Sequence, residues 1–147
     1  MKDLMKNKKG LVMGVANEKS IAWGMARALS DAGAELAFTY QGEAFGKRVI
    51  PLAETLGSPL VLNCDVTSEE NLDEVFGRIE KEWGKLDFVV HAIAYSNKDE
   101  LQGRYVDTSL DNFLKTMHIS CYSFTSIMRH ALPVMNPGGS ALTLTYY

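Results

Sequence analysis

Short apolar runs and helically spaced apolar positions alternate along the whole chain. Leu11–Val15 is a continuous apolar run of strand length, the pattern of a strand covered on both faces. Ile21, Met25 and Leu29 then recur every four residues, and Gly33 predicts the end of that helix. Leu36–Tyr40 reads as a second strand. Phe45, Val49, Leu52, Ala53 and Leu56 share one helical face, which Pro51 is expected to kink or restart because proline lacks an amide donor. Leu60–Cys64 is the third strand. Thr67-x-x-Glu70 has the form of a capping box, and it opens a helix whose buried stripe is Leu72, Val75, Phe76, Ile79 and Trp83. After Gly84, Phe88–Ala94 is the fourth strand and Ser96–Asp107 is polar and irregular. A long helix is predicted from about Thr108 to Leu132. Pro133 and Asn136-Pro137-Gly138-Gly139 break it before a fifth strand, Ala141–Tyr146.

Five strands alternating with helices predict an α/β fold: a doubly wound parallel sheet of Rossmann type, in a single domain over residues 1–147. No repeat, low-complexity segment or Gly/Ser linker divides it. Ligands of such sheets bind beyond the carboxyl ends of the strands. That rule singles out Gly14, Tyr40-Gln41, Cys64-Asp65, Ile93-Ala94 and Tyr146.

Composition narrows the class. At 147 residues, with 46% hydrophobic and 22% charged residues, the chain has the make-up of a soluble globular domain. A net charge of −3 supplies no general attraction to nucleic acid or to an anionic membrane. Lys2, Lys6, Lys8 and Lys9 make a basic N-terminus, but no long apolar run follows, so neither a signal peptide nor a membrane anchor is expected. Cys64 and Cys121 lack metal-ligand spacing and read as reduced thiols of a cytoplasmic protein. His91, His118 and His130 have no spaced partners for a metal or a triad, so packing or surface roles are expected and no metal site is predicted.

The strand ends carry the candidate chemistry. Ser20 stands at a helix start, where free amides and the helix dipole attract anions such as a pyrophosphate. Gly14 gives the backbone freedom to leave the first strand, and Gly24 would let the helix approach the sheet closely. No middle glycine follows, so the Val15–Lys19 loop must be wider than in a G-x-G-x-x-G turn; a plain turn before a capped helix is the alternative. Gln41 ends the second strand, where an acid usually binds the adenosine ribose. An amide there can still bond a hydroxyl, and no adjoining arginine favours a 2′-phosphate, although Lys47 and Arg48 follow. Asp65 either accepts from an adenine amino group, beside the Val66 backbone, or orders the turn before the next helix. Ile93-Ala94 either lets backbone come close to a ligand or packs in the core. Tyr146 would project its phenol into the crevice as a donor to a developing oxyanion, or sit there as an amphipathic aromatic. Tyr147 points the opposite way in a strand. Ser120, Ser123 and Ser126 read as helix-packing or cofactor-adjacent polarity, not as nucleophiles.

Gly14-Val15-Ala16 followed by Ser20-Ile21-Ala22-Trp23-Gly24, the Glu35–Gln41 strand, Cys64-Asp65-Val66, Val90–Ala94, Ser120–Phe124 and Leu142–Tyr146 form a pattern that covers nearly the whole chain. It resembles the enoyl-acyl-carrier-protein reductases of bacterial type II fatty-acid synthesis, a divergent branch of the short-chain dehydrogenase/reductases. The resemblance implies NAD as cofactor, with NADH favoured over NADPH, contacted by Gly14, Ser20, Ile21, Gln41, Asp65, Val66 and Ile93. It implies an acyl-carrier-protein-bound enoyl substrate beside Ser96, Tyr146 as one of two active-site tyrosines, and a homotetramer assembled partly through the long helix. Ala94 stands where that family often has glycine, which could narrow the nicotinamide pocket. The family places its second tyrosine and a lysine on a helix after the fifth strand, where this sequence stops. The chain is therefore expected to look like the front half of the enzyme and to be inactive alone. A non-catalytic nucleotide-binding module is the other reading.

Overall fold

The computed structural model describes residues 3–146, so Lys2 and Tyr147 lie outside the described residues. The strands are β1 (Lys9–Met13), β2 (Glu35–Tyr40), β3 (Leu60–Asn63), β4 (Leu86–His91) and β5 (Met135–Thr143). They form one parallel sheet in the order β3-β2-β1-β4-β5. The chain leaves β1 toward β2 and β3, then crosses back to β4 on the other side. The carboxyl ends of β1 and β4 thus flank the point where the winding reverses.

The continuous apolar runs of the strands follow from cover on both faces. Leu11 and Met13 face a core with Leu72, Val75, Phe76 and Ile79 of α3 (Glu69–Trp83) and Ile127 and Ala131 of α5 (Ser123–Ala131). The intervening Val12 joins Leu36 and Phe38 in a second core with Ala22, Trp23 and Ala26 of α1 (Ile21–Asp31) and Val49 and Ala53 of α2 (Gly42–Thr55). Alternating side chains of one strand thereby serve two separate cores, as the period of two requires.

One local expectation is narrowed and three need correction. Pro51 lies inside α2, which runs on without a restart. Its side is exposed, so the carbonyl that loses its amide partner can be solvated. The cap of α3 is Ser68, whose hydroxyl accepts from the Asn71 amide at 3.2 Å. Thr67 stands one residue before that cap, and its amide and hydroxyl donate to the Asp65 carboxylate, at 2.9 and 2.7 Å. The long helix is two α-helices, α4 (Leu110–Met117) and α5, joined by a wide π-type turn over His118–Tyr122. Finally, Asn136-Pro137-Gly138-Gly139 does not separate helix from strand. It lies within β5, taken up by an irregularity between the Leu86–Met135 and Phe88–Ser140 pairs. As an edge strand, β5 tolerates the proline. Among the described residues no helix is long and apolar enough to cross a membrane.

Candidate functional site

The ends of the first four strands converge on an open cleft with a cavity volume of about 180 Å³. Gly14, Val15 and Ala16 leave β1, and Thr39, Tyr40 and Gln41 end β2; Phe45 reaches in from α2. Cys64 and Val66 follow β3, Ala92 to Tyr95 follow β4, and Ile119 enters from the π-type turn. The walls are mainly apolar, as suits flat heteroaromatic rings.

Gly14 makes this convergence possible. Its φ is +110°, and a Cβ there would collide with the carbonyl of Ala92 at the exit of β4. Only a residue without a side chain allows the two chains to pass so closely. Gly24 is different. A Cβ there would meet nothing within 4 Å, so the expected close approach of α1 at that glycine is absent.

Beside the cleft, α1 starts at Ile21 with Ser20 in the N-cap position. The Ser20 hydroxyl makes no cap bond. It donates to the Asn17 carbonyl at 2.6 Å and lies 3.4 Å from the Ala16 amide, tying the wide loop together. The first-turn amides of any helix lack intrahelical acceptors. In α2, α3 and α4 an acidic side chain offsets this positive end (Glu43; Glu69 and Glu70; Asp111), whereas α1 has none. The start of α1 is left with its attraction for an outside anion.

The sequence-predicted residues divide into two groups. Gly14, Gln41, Val66 and Ile93 all line the cleft. Ser20 and Ile21 sit at the helix start without lining it, and Ile21 is exposed. Asp65 orders the Thr67 turn through Oδ1 and takes the Asn71 amide oxygen on its own N–H at 2.7 Å. Its Oδ2 accepts no hydrogen bond among the described residues. Ser96 does not line the cleft either: its hydroxyl accepts from Asn112 Nδ2 at 3.0 Å and meets Thr116 Oγ1 at 3.1 Å, fastening the segment after β4 to α4. Tyr146 follows β5 by three residues and is 95% exposed, outside the lining. Tyr147 falls outside the described residues.

Cys64 is in the cleft wall, but burial, with the adjacent Asp65 carboxylate, pushes its thiol up to about 12, which makes it an inert thiol at neutral pH. Among the described residues no cluster of three or more His, Cys, Asp or Glu could hold a metal.

The strand-end rule reached Tyr40, which lines the cleft, but sequence reasoning missed Phe45, Tyr95 and Ile119 as wall residues. Ser120, Ser123 and Ser126, read as helix-packing or cofactor-adjacent polarity, take the packing role. Ser120 accepts from the Tyr95 amide at 2.9 Å, Ser123 meets His91 Nε2 at 2.8 Å, and Ser126 donates to Glu69 at 2.6 Å. Each pins the helix to another element. His91 itself is 1% exposed, between Ser123, Thr143 and the edge-on ring of Phe124.

Burial holds the His91 imidazole below its ordinary 6.5. Between that lowered value and 6.5 the unfolded chain binds a proton that the folded chain refuses, so stability rises with pH through this window and is fully present above it. Urea midpoints are expected to fall as pH drops below about 6.5, and the His91→Gln variant should show a flatter profile. Glu69 and Glu100, held below their usual 4.5 by the hydroxyls of Ser126 and Ser109, act only in a more acidic range.

Comparison with known proteins agrees with this fold. The sequence model of the family described as enoyl-(acyl carrier protein) reductase matches residues 14–147. An enoyl-[acyl-carrier-protein] reductase [NADH] of Rhizobium meliloti is 61% identical over 144 residues, covering 98% of this chain and 53% of the relative. The crystal structure of the Anaplasma phagocytophilum enoyl-(acyl-carrier-protein) reductase in complex with NAD superposes with a TM-score of 0.95 at 59% identity, over 100% of this chain and 56% of that one. The Bacillus cereus reductase, crystallised with NADP+ and an indole naphthyridinone, gives a TM-score of 0.94 at 50% identity, over 98% of this chain and 57% of its own. The chain thus spans about half the length of these relatives. With a family match over almost its entire length and a shared fold at high identity, it belongs to the enoyl-(acyl carrier protein) reductase family.

Proposed function

We propose that this chain forms the dinucleotide-binding half-site of an NADH-dependent enoyl-acyl-carrier-protein reductase of type II fatty-acid synthesis. The observation that carries the reading is the cleft at the β1–β4 switch point, opened by the left-handed backbone of Gly14 and adjoining a helix start with no acid of its own. These features fit a dinucleotide. Its pyrophosphate would rest at Ser20 and Ile21, its ribose on Gln41, and its adenine between Val66 and the Asp65 carboxylate. Its nicotinamide would lie along Ile93. Glu43 pairs with Lys47 at 2.9 Å, which offsets one of the two cations that follow Gln41 in the sequence and so supports NADH over NADPH.

The chemistry that the bound cofactor supplies is hydride donation to the β-carbon of a trans-2-enoyl thioester. The chain's own part is electrostatic. The Tyr146 phenol would donate to the thioester oxygen as negative charge gathers there, a bond stronger in the transition state than in the ground state. Ser96 stands for the substrate side of the site. A cytoplasmic location and a homotetramer belong to the same proposal. The tetramer is supported by the exposed apolar side chains Leu110, Phe113, Leu114 and Met117 along α4.

Titrating the chain with NADH and NADPH by fluorescence tests the reading. Saturable binding, tighter for NADH, is expected; no saturation, or tighter NADPH, overturns it. With crotonyl thioester added, this half-site alone is expected to leave NADH unoxidised; turnover comparable to that of a full-length reductase overturns that expectation.

A further inference from the structure

Four groups form a hydrogen-bonded line from the end of β5 to the cleft wall. The Ser123 hydroxyl lies 2.6 Å from the carbonyl of Ile119, which can only accept, so its single proton is committed there. Its 2.8 Å contact with His91 Nε2 is therefore accepted, which puts the ring proton on Nε2. Burial favours the neutral ring, so Nδ1 holds a lone pair and accepts from the Thr143 hydroxyl at 2.8 Å. The line runs Thr143 to His91 to Ser123 to Ile119, every link donated in one direction.

Its far end matters to the site. Ile119 lines the cleft and belongs to the π-type turn, where the Ser123 amide reaches back to the His118 carbonyl. The next residue, Ser120, exchanges bonds with the Tyr95 backbone at 2.9 and 3.2 Å, and Tyr95 also lines the cleft. A π-type turn is a widened and less stable stretch of helix, so its position depends on the contacts that hold it.

We propose that His91 is a positioning residue for the cofactor cleft, using its Nε2–H to Ser123 to fix the π-type turn that presents Ile119 and, through Ser120, Tyr95. This rests on the cofactor reading above. The ring does not touch the ligand; it sets the wall that does.

Three substitutions in the full chain separate the two arms. The Gln amide of His91→Gln reaches the Nε2 position and keeps the Ser123 bond; His91→Asn reaches only the Nδ1 position and keeps Thr143; His91→Phe keeps packing alone. The expected result is NADH affinity within about twofold of the parent for His91→Gln and about tenfold weaker for the other two. Thermal midpoints should not follow that order. Hydrogen exchange at the Tyr95 amide supplies a readout that needs no nucleotide, and should accelerate in His91→Asn and His91→Phe but not in His91→Gln. Equal exchange and affinity in the Gln and Asn variants, or affinity that merely follows the melting temperatures, overturns the proposal. Where the parent chain itself fails to bind NADH, the cofactor reading fails, and the exchange pattern alone decides whether His91 positions the turn.

Discussion

Gly14→Ala is expected to destabilise the fold by about 3–5 kcal/mol, lowering the thermal midpoint by on the order of 10 °C, and to abolish NADH binding. Two costs add. A side chain at φ +110° is strained wherever it stands. The new methyl would also meet the Ala92 carbonyl, a backbone atom that no rotamer change can remove. Relief requires β1 and β4 to separate at Met13 and His91, just where the Ala92 amide donates to the Met13 carbonyl at 2.9 Å. Gly24→Ala is the matching control. It places the same methyl on an exposed helical position with no atom within 4 Å, and should be neutral or stabilising by up to about 1 kcal/mol. Urea denaturation of both variants checks the pair. Equal effects would show that the crossing of the two strands does not select the glycine.

The second large effect is expected at Asn112, which is 4% exposed in the first turn of α4. Its Oδ1 accepts the Asn97 amide at 2.9 Å and its Nδ2 donates to Ser96 at 3.0 Å, so one side chain fastens the segment leaving β4. Asn112→Leu keeps the volume but leaves a partly buried amide without an acceptor, at a cost of about 2–3 kcal/mol. Asn112→Asp retains the acceptor and should recover the Asn97 bond. Amide exchange at Asn97 distinguishes them: fast in the leucine variant, slow in the aspartate one. Because Ala94 and Tyr95 of the same segment line the cleft, NADH affinity should weaken alongside.

The sheet was readable in the sequence because a doubly covered strand leaves a signal that little else produces. Leu11–Met13 and Leu36–Phe38 are apolar at consecutive positions, since each face meets its own helix layer. Strand-end rules then reached Gly14, Tyr40, Gln41, Cys64, Ile93 and Ala94, which do meet in one cleft, whereas Asp65 and Tyr146, reached by the same rule, do not line it. Caps and turns were less legible, because neighbouring polar groups compete for the same donors. Thr67 has the spacing of a cap, yet its amide and hydroxyl donate to the Asp65 carboxylate two residues earlier, and Ser68 caps the helix instead. The π-type turn was invisible for a different reason. One extra residue in a helix barely disturbs an apolar period of 3.6, and its only trace was the polar ladder Ser120, Ser123 and Ser126, whose partners lie on β4, on the segment that leaves it and on α3.

The order β3-β2-β1-β4-β5 has a consequence for growth. Among the described residues its last strand is also its outermost, so the main-chain donors and acceptors on the outer side of β5 have no strand partner there. Further parallel strands could dock there by accretion, each templated by the one before, without reopening the junction of β1 and β4.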